Sequence, residues 1–234
     1  MSEISIEKNL AKVLESIEQS CLECGRNPED VQLIAVSKTK PHEAITEAFF
    51  AGQIHFGENR MQELQEKMSA LDLPNAQWHM IGTIQSNKIK YIAERVDWIH
   101  SVSKAKYLTE INRRAAEHNR IINVLIQVNI SGEDQKSGCE VSELGGILDH
   151  ARTLPNIVVH GLMGIASFVE DPEDVRSEFR LLRETLDQFA SLNGGNVQLT
   201  ELSMGMSGDM EVAIQEGATM VRVGSAIFGS RNYA

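Results

Sequence analysis

The chain has 234 residues, of which 42% are hydrophobic and 24% charged, and this composition is typical of a globular protein that buries a full core. Its 33 acidic and 22 basic residues give a formal net charge of −11, and the lack of a basic stripe argues against a nucleic-acid partner. No stretch approaches the roughly 20 apolar residues of a membrane span. The N-terminal sequence MSEISIEKNL lacks the basic region and apolar block of a targeting signal, so we expect a cytoplasmic location and no membrane partner.

The cysteines predict neither a disulfide framework nor a metal site. Only three are present, and an odd number suits a reducing compartment. Cys21 and Cys24 form a C-x-x-C pair, but they continue a helical series of apolar residues, and no second Cys/His pair stands nearby to complete a zinc site. We therefore predict that this pair belongs to a helix.

The order of the apolar runs predicts an alternation of strands and helices. An amphipathic helix is expected at about residues 4–24. Eight apolar runs that indicate strands follow it, at residues 31–37, 53–57, 77–82, 97–102, 122–130, 157–165, 199–205 and 220–226. A helical pattern lies in each of the seven gaps, for example at Leu108, Ile111 and Ala115.

Eight strand–helix units in a chain of this length fit a (β/α)8 barrel, with a doubly wound open sheet as the competing architecture. Several runs are apolar on both faces, as expected of strands that contact helices on one side and other strands on the other. The count of eight favours the barrel. No helix-length segment follows the eighth strand, so we expect the N-terminal helix to take the eighth position of the outer ring. Without a linker or low-complexity tract, residues 1–234 are predicted to form one domain.

Lys38 follows the first apolar run, in the sequence LIAVSKTKP. In a barrel, the carboxyl-terminal end of a strand lies on the face where active sites are built. One interpretation of Lys38 is an ammonium group that reaches solvent beside Lys40, as most lysines do. The other is a partly desolvated amine that attacks a carbonyl carbon.

Glycines and serines recur in the last two predicted loops, in SMGMSGDMEVAIQEG and RVGSAIFG. Loops at these positions of a barrel commonly bind phosphate with the N-terminus of a short helix. Gly205, Gly208 and Gly224 permit close approach of the backbone, and Ser207 and Ser225 supply hydroxyls, although two ordinary turns would show the same residue types. Strands one and eight are neighbours in a closed barrel. The lysine and this phosphate cradle would share one mouth, which suggests either pyridoxal phosphate or a phosphorylated sugar in an aldolase-like site.

Several segments of the chain together resemble one family, the pyridoxal phosphate homeostasis proteins. The segments are AVSKTKP, FGENRMQE, WHMIGTIQSNK, VLIQVNIS, KSG, HGLMGI and LSMGMSGDMEVAIQEGATMVRVGSAIFG. The resemblance covers nearly the whole chain in a single register. It implies a single fold-type III barrel, similar to the N-terminal domain of alanine racemase, with pyridoxal phosphate as its cofactor.

The resemblance also implies a role for individual residues. It implies that Lys38 carries the cofactor as a Schiff base, so that another lysine, such as Lys136 of KSG, would not. The other implied contacts fall into three groups: Ser207, Arg222, Gly224 and Ser225 hold the phosphate and the ring nitrogen, Asn59 lines the pocket, and His79 and Met163 are weaker candidates for contacts with the ring.

Arg222 carries an implication for chemistry, unless it is only a strand-end arginine paired with a carboxylate. A guanidinium does not donate its proton, so beside the pyridine nitrogen it leaves that nitrogen unprotonated and the ring a poor electron sink. A racemase also needs an acid/base opposite the lysine, which in alanine racemase is a tyrosine from a second domain. This chain stops ten residues after Gly224, and its three tyrosines fall in helical or terminal segments: Tyr91, Tyr107 and Tyr233.

We therefore expect a protein that holds pyridoxal phosphate on Lys38 and serves vitamin B6 and amino-acid balance without a turnover of its own. The alternatives are a small pyridoxal phosphate-dependent racemase or decarboxylase and, third, a phosphosugar Schiff-base aldolase. Apo-enzymes that need the cofactor are candidate recipients. The resemblance suggests a monomer.

Overall fold

The protein is described here by a computed structural model that covers residues 5–132 and 137–229. Lys136 and Tyr233, both named above, lie outside the described residues. All eight predicted strands are present: β1 Gln32–Val36, β2 His55–Glu58, β3 Gln77–Met80, β4 Trp98–Val102, β5 Ile122–Gln127, β6 Ile157–Met163, β7 Val197–Ser203 and β8 Met220–Val223.

The strands are parallel and close into a barrel in the order of the chain, β1 to β8. At the closure, β1 pairs with both β2 and β8, and Ile34 lies opposite Arg222. This closure confirms the (β/α)8 barrel and excludes the open sheet, in which β1 and β8 could not pair. It also makes β7, β8, β1 and β2 four consecutive neighbours around the barrel.

Helices cover the outside of the barrel: α1 Ile6–Glu23, α2 His42–Phe50, α3 Met61–Ala70, α4 Ala105–Glu117, α5 Val141–Ala151, α6 Arg176–Phe189, α7 Met210–Gln215 and α8 Ser225–Phe228. Short 3-10 helices add to them at Pro28–Asp30, Ser86–Tyr91, Pro172–Val175 and Ala190–Leu192. Within residues 5–132 and 137–229, none of the helices has both the length and the apolar character required to cross a bilayer.

The third gap departs from the predicted helical pattern. Between β3 and β4 the chain forms the 3-10 helix Ser86–Tyr91 and turns, although Ile89 and Ile92 are fully buried there. Side chains such as those of Ser86 and Asn87 compete for backbone hydrogen bonds, and β-branched isoleucines lose rotamer freedom in a helix. The apolar spacing therefore marks the buried residues correctly but not the type of helix.

The N-terminal helix occupies the eighth position of the outer ring, as predicted. Ser5 precedes α1, and its hydroxyl accepts a hydrogen bond from the amide of Lys8. The buried face of α1 packs against α2, α7 and α8. Asn9 adds a side-chain hydrogen bond of 3.0 Å to the carbonyl of Ile227 in α8. Because α8 has only four residues, α1 supplies most of the cover over the seam between β8 and β1.

Apolar packing divides into two regions. We call the larger one the outer core; it lies between the strands and the helices and includes Leu33, Ala35 and Phe179. We call the smaller one the inner cluster; it lies inside the barrel and consists of Ile34, Leu125, Met163 and Met220, with Trp98 packed against it. The two regions follow from the alternation of side chains along each strand.

Candidate functional site

A cleft of about 300 Å³ opens at the carboxyl-terminal end of the barrel. Its lining brings together six of the eight candidate residues: Lys38, Asn59, Ser207, Arg222, Gly224 and Ser225. They come from the carboxyl-terminal ends of β1, β2, β7 and β8, which are consecutive around the barrel. Ile81, Ile165 and Met206 add apolar wall to the same cleft.

Lys38 lies in a tight turn directly after β1. The turn is closed by a 3.0 Å hydrogen bond from the amide of Lys40 to the carbonyl of Ser37. Thr39 adopts a left-handed conformation with φ of 62°, which is unusual for a β-branched residue. The carboxylate of Glu63 accepts a hydrogen bond from the Thr39 amide at 2.5 Å, and this contact holds the turn in place. Lys38 is therefore presented to the cleft by a constrained backbone.

A buried ionic cluster supports this turn from below. The ammonium group of Lys67 donates to Glu58 Oε1 and to Glu63 Oε1, both at 2.7 Å, and to the carbonyl of Ser37 at 2.8 Å. The Ser37 hydroxyl donates to Glu58 Oε1 at 2.6 Å. Burial raises the pKa of Glu58, whereas the charge and the hydrogen bond of Lys67 lower it. The cluster ties β2 and α3 to the residue that precedes Lys38.

Lys40 has a different structural role from Lys38. Its ammonium group donates to the carbonyls of Phe228 and Gly229, both at 2.9 Å. These carbonyls lie at the end of α8, where helical carbonyls lack internal partners. Lys40 therefore fastens the loop after β1 to the segment after β8, across the closure of the barrel.

Arg222 forms the inner wall of the cleft and is 4% exposed. One terminal nitrogen, Nη1, donates to Ser203 Oγ at 2.7 Å, and Nη2 donates to the carbonyl of Gly164 at 2.9 Å. Burial lowers the pKa of Arg222 to about 10, against the opposing charge of Asp209. The guanidinium therefore remains a cation at neutral pH, and its direct partners are a hydroxyl and a carbonyl rather than a carboxylate.

The two predicted cradle loops meet at the outer end of the cleft. The hydroxyls of Ser207 and Ser225 lie 3.4 Å apart, and both residues are exposed. Asp209 Oδ1 accepts a 2.5 Å hydrogen bond from the amide of Met206, which closes the turn that carries Ser207. At Gly224, an added Cβ would lie 3.1 Å from the carbonyl oxygen of Val36, so a larger residue would crowd β1.

Asn59 contributes an unsatisfied polar atom to the cleft. It follows β2 directly and lines the cleft, and its buried Oδ1 has no hydrogen-bond partner among the described residues. Such an atom costs free energy unless a ligand or water occupies the position opposite it. The orphaned oxygen therefore marks a position at this wall for a polar ligand group or a water molecule.

The structure does not bring His79 and Met163 into the lining of the cleft, contrary to the expectation of ring contacts. His79 is fully buried inside the barrel, where His55 and His100 are its hydrogen-bond partners. Met163 is also fully buried and belongs to the inner cluster. Both side chains point into the barrel below its mouth, because the strand alternation turns them inward before the chain reaches the loops.

Sequence reasoning missed the residues that act behind the cleft. Glu58 stands within the quoted FGEN motif, so its position was a usable signal, but Lys67 looks like any surface lysine of an amphipathic helix. Ser203, which contacts Arg222, lies within the quoted LSMGMSGDM segment, so its position was also a usable signal. Tyr91 and Tyr107, the two tyrosines among the described residues, do not line the cleft.

Comparison with known proteins extends these observations. The family model described as alanine racemase, N-terminal domain, matches residues 14–232. The pyridoxal phosphate homeostasis protein of Aquifex aeolicus is 44% identical over 226 residues, which cover 97% of this chain and 98% of the relative. The protein of the same name from Escherichia coli K12 is 43% identical over 232 residues, which cover 98% of each chain.

Solved structures show the same relationship. PipY of Synechococcus elongatus, with pyridoxal phosphate bound, has a TM-score of 0.81 and 38% identity, covering 96% of this chain and 100% of PipY. Alanine racemase of Corynebacterium glutamicum has a TM-score of 0.71 at 15% identity, covering 97% of this chain and 61% of the racemase, which is a likeness of fold alone. On the extent of these matches, the chain belongs to the pyridoxal phosphate homeostasis protein family, within the wider group that shares the N-terminal domain of alanine racemase.

Proposed function

We propose that this chain holds pyridoxal phosphate as a Schiff base on Lys38 and serves pyridoxal phosphate homeostasis and amino-acid balance without a turnover of its own. The observation that carries the proposal is one cleft that combines the amine of Lys38, the buried guanidinium of Arg222 and the hydroxyls of Ser207 and Ser225. When bound, the cofactor supplies an aldehyde that condenses with a lysine amine.

The residues of the cleft fit this cofactor. The serine hydroxyls and the glycine backbone at the outer end suit a phosphate, and the exclusion of a side chain at Gly224 keeps the backbone accessible there. At the inner wall, Arg222 supplies a fixed cation that would contact the pyridine nitrogen of the bound cofactor. The orphaned Oδ1 of Asn59 supplies a further acceptor in the lining of the cleft.

The charges in the cleft support binding rather than acid–base turnover. Among the described residues, the titratable side chains of the lining are Lys38, Lys40 and Arg222. A racemase needs a second acid/base on the face opposite the lysine. Lys40 is committed to two carbonyls, and Arg222 holds its proton at neutral pH. The cleft therefore favours an anionic ligand and offers no opposed proton donor of suitable chemistry in this part of the chain.

A test of the attachment residue is the variant Lys38→Ala. It should lose the visible absorbance of the bound cofactor and keep its fold, because a side chain at the barrel mouth contributes little core packing. Borohydride reduction followed by peptide mapping should place the cofactor on Lys38 in the wild type. Lys106→Ala, an exposed lysine of α4 outside the cleft, is the matched control and should retain the absorbance. Retention of the absorbance by Lys38→Ala, with the modification on another lysine, would refute the assignment.

The absence of turnover has its own measurement. Loaded protein mixed with L-alanine in deuterated water should exchange the α-proton scarcely faster than free pyridoxal phosphate does, because the cleft lining within residues 5–132 and 137–229 contains no acid/base opposed to Lys38. Rapid exchange or racemisation by the wild type would instead favour a small racemase, whose fold this chain shares.

We further propose that the protein is a cytoplasmic monomer and that apo-enzymes needing the cofactor are recipients. The exposure of Ser207 and Ser225 supports transfer, because the phosphate end of the cleft is reachable from solvent. Loaded protein mixed with an apo-enzyme that requires pyridoxal phosphate should restore that enzyme's activity. The rate should exceed that obtained with the same concentration of free pyridoxal phosphate in buffer. Light scattering should give the mass of one chain, and a dimer mass would contradict the monomer.

A further inference from the structure

A hydrogen-bonded row of polar side chains crosses the inside of the barrel and ends at Arg222. From that end, Arg222 Nη1 lies 2.7 Å from Ser203 Oγ, and Ser203 Oγ lies 2.9 Å from His100 Nδ1. His100 Nε2 lies 2.9 Å from His79 Nδ1, and His79 Nε2 lies 3.0 Å from His55 Nδ1. We call His55, His79 and His100 the histidine file.

The histidine file connects two ends of the barrel. Ser203 belongs to β7 and His100 to β4, which are not neighbouring strands, so the bond between them crosses the interior. His79 and His100 are fully buried, whereas His55 is half-buried and contacts the side-chain amide of Gln32 at the start of β1. The ring of Trp98 stacks on His79 with an interplanar angle of 5°. The file is therefore packed on its side as well as hydrogen-bonded at its ends.

The direction of these hydrogen bonds follows from Arg222. A guanidinium only donates, so Ser203 Oγ must accept from it. The Ser203 hydroxyl carries one proton, and among the described residues the only other partner of that oxygen is His100. Because Ser203 is fully buried, a hydroxyl proton without an acceptor would be costly. The proton of Ser203 therefore points to His100 Nδ1.

This direction sets the tautomer of every ring in the file. With Nδ1 accepting, neutral His100 carries its proton on Nε2 and donates to His79 Nδ1, and the same logic repeats from His79 to His55. His55 Nε2 then donates to Gln32. The structure places Gln32 Nε2 against this ring nitrogen, so this direction requires the Gln32 amide to be rotated by 180°, with its oxygen toward His55. Burial lowers the pKa of His79 and of His100 well below the usual range and that of His55 to about 4, so all three rings are neutral near pH 7.

We propose that His100 is a positioning residue for Arg222. His100 accepts the hydrogen bond from the Ser203 hydroxyl. It thereby turns the lone pairs of Ser203 toward Arg222 and fixes the guanidinium at the inner wall of the cleft. His79 and His55 hold His100 in the required tautomer. The consequence for the pyridine nitrogen, that it faces a fixed donor cation, rests on the proposed function, whereas the order within the file does not.

The first measurement uses the cofactor-free wild-type protein and needs no variant. Nitrogen-15 and proton spectra of labelled histidine at pH 7 should show His55, His79 and His100 neutral, with the proton on Nε2 in each. A proton on Nδ1 of His100 would reverse the direction of the file and overturn the proposal.

The second measurement follows the Arg222 guanidinium in the same cofactor-free state. Its Nη protons should give resolved, slowly exchanging signals in the wild type. These signals should disappear in Ser203→Ala, which removes the acceptor, and in His100→Phe, which removes the partner that orients the acceptor. His100→Gln keeps one acceptor and one donor and should restore the signals. His160→Gln is the matched control, because His160 also lies at the barrel strands but bonds to Asn123 outside the file. Resolved Arg222 signals in His100→Phe would overturn the positioning role.

The third measurement connects the file to the ligand. The dissociation constant for pyridoxal phosphate, read from absorbance, should rise about tenfold in His100→Phe and much less in His100→Gln, since a hydrogen bond to a charged group is worth about that factor. Equal losses in both variants would contradict positioning through hydrogen bonds. If the wild type did not bind pyridoxal phosphate, the proposed function would fail, and the tautomer and guanidinium spectra would still decide the order of the file.

Discussion

The outer core and the barrel interior are built from the same strands and differ in chemistry. On β3, Trp78 and Met80 join the outer core, while His79 between them enters the histidine file. On β1, Leu33 and Ala35 face the helices, and Ile34 faces inward. Barrels of this fold usually fill their interior with layers of bulky branched residues. Here apolar side chains fill only part of the interior, and the rest is a row of hydrogen bonds that leads to Arg222.

Stability and the order of the site depend on different regions of the molecule. Apolar burial in the outer core is continuous and depends little on the direction of any bond. A buried polar row stabilises only when every member has its partner, and then it also restricts the core to one arrangement. We infer that the outer core supplies most of the folding free energy, whereas the interior determines how the wall of the cleft is oriented.

The largest expected effect is in the outer core, at Phe179 of α6. Phe179 is fully buried, so Phe179→Ala should lower the free energy of unfolding by about 3–5 kcal/mol through lost burial and the cavity left behind. Urea unfolding of the cofactor-free protein measures this loss. Phe168→Ala is the control, because Phe168 is 101% exposed and should change stability little. A loss of unfolding free energy smaller than that of His79→Leu, inside the barrel, would contradict the division between the two regions.

A smaller loss is expected inside the barrel, at His79. Leucine has a similar size but no nitrogen, so His79→Leu leaves His55 Nδ1 and His100 Nε2 without partners, at a cost of about 2 kcal/mol. His79→Gln, which retains an acceptor and a donor, should lose less. The same urea titration compares the two. A stability gain in His79→Leu would show that the interior behaves as an ordinary apolar core.

The barrel could be predicted from the sequence because the pattern of an apolar run followed by a helical segment repeats along the chain. Eight apolar runs separated by helical patterns specify the number and order of strands, and the end of β1 then places Lys38 at the mouth. The helix type in the gap between β3 and β4 was not predicted correctly, because buried isoleucines at helical spacing also suit the 3-10 helix Ser86–Tyr91. Periodicity reports which face is buried, not which hydrogen bonds the backbone makes.

The residues behind the cleft were harder to predict than those that line it. The chain spacing between His55, His79 and His100 is that of successive strand–helix units, so three histidines at inward positions of β2, β3 and β4 were a readable signal. Their contact depends on the stagger between strands, which sequence spacing does not supply. The cluster of Lys67 with Glu58 depends on a helix lysine that turns toward the barrel, and no pattern distinguishes it from an exposed one.

The smallest expected effect is a change in pH dependence, and it concerns the half-buried end of the file. Burial lowers the pKa of His55 from 6.5 to about 4, so below pH 6.5 the unfolded chain takes up a proton that the folded chain does not bind. Protons bound preferentially by the unfolded state make the free energy of unfolding fall as pH falls, and this contribution is fully present only above the unfolded pKa. The loss continues down to the folded pKa and stops below it.

Substitution of His55 isolates this contribution from the carboxylates that titrate in the same range. His55→Gln keeps an acceptor for His79 and a donor for Gln32, but it removes the proton uptake. Between about pH 6 and pH 5, the wild type should therefore lose about 1 kcal/mol more of its unfolding free energy than the variant does. Urea titrations at both pH values measure the difference. The control Gln198→Ala, at an exposed position of β7, should lose as much unfolding free energy between these pH values as the wild type does. If His55→Gln also lost as much as the wild type does, His55 would not be a neutral, desolvated member of the file, and the interior would be more open to water at this end than its hydrogen bonds indicate.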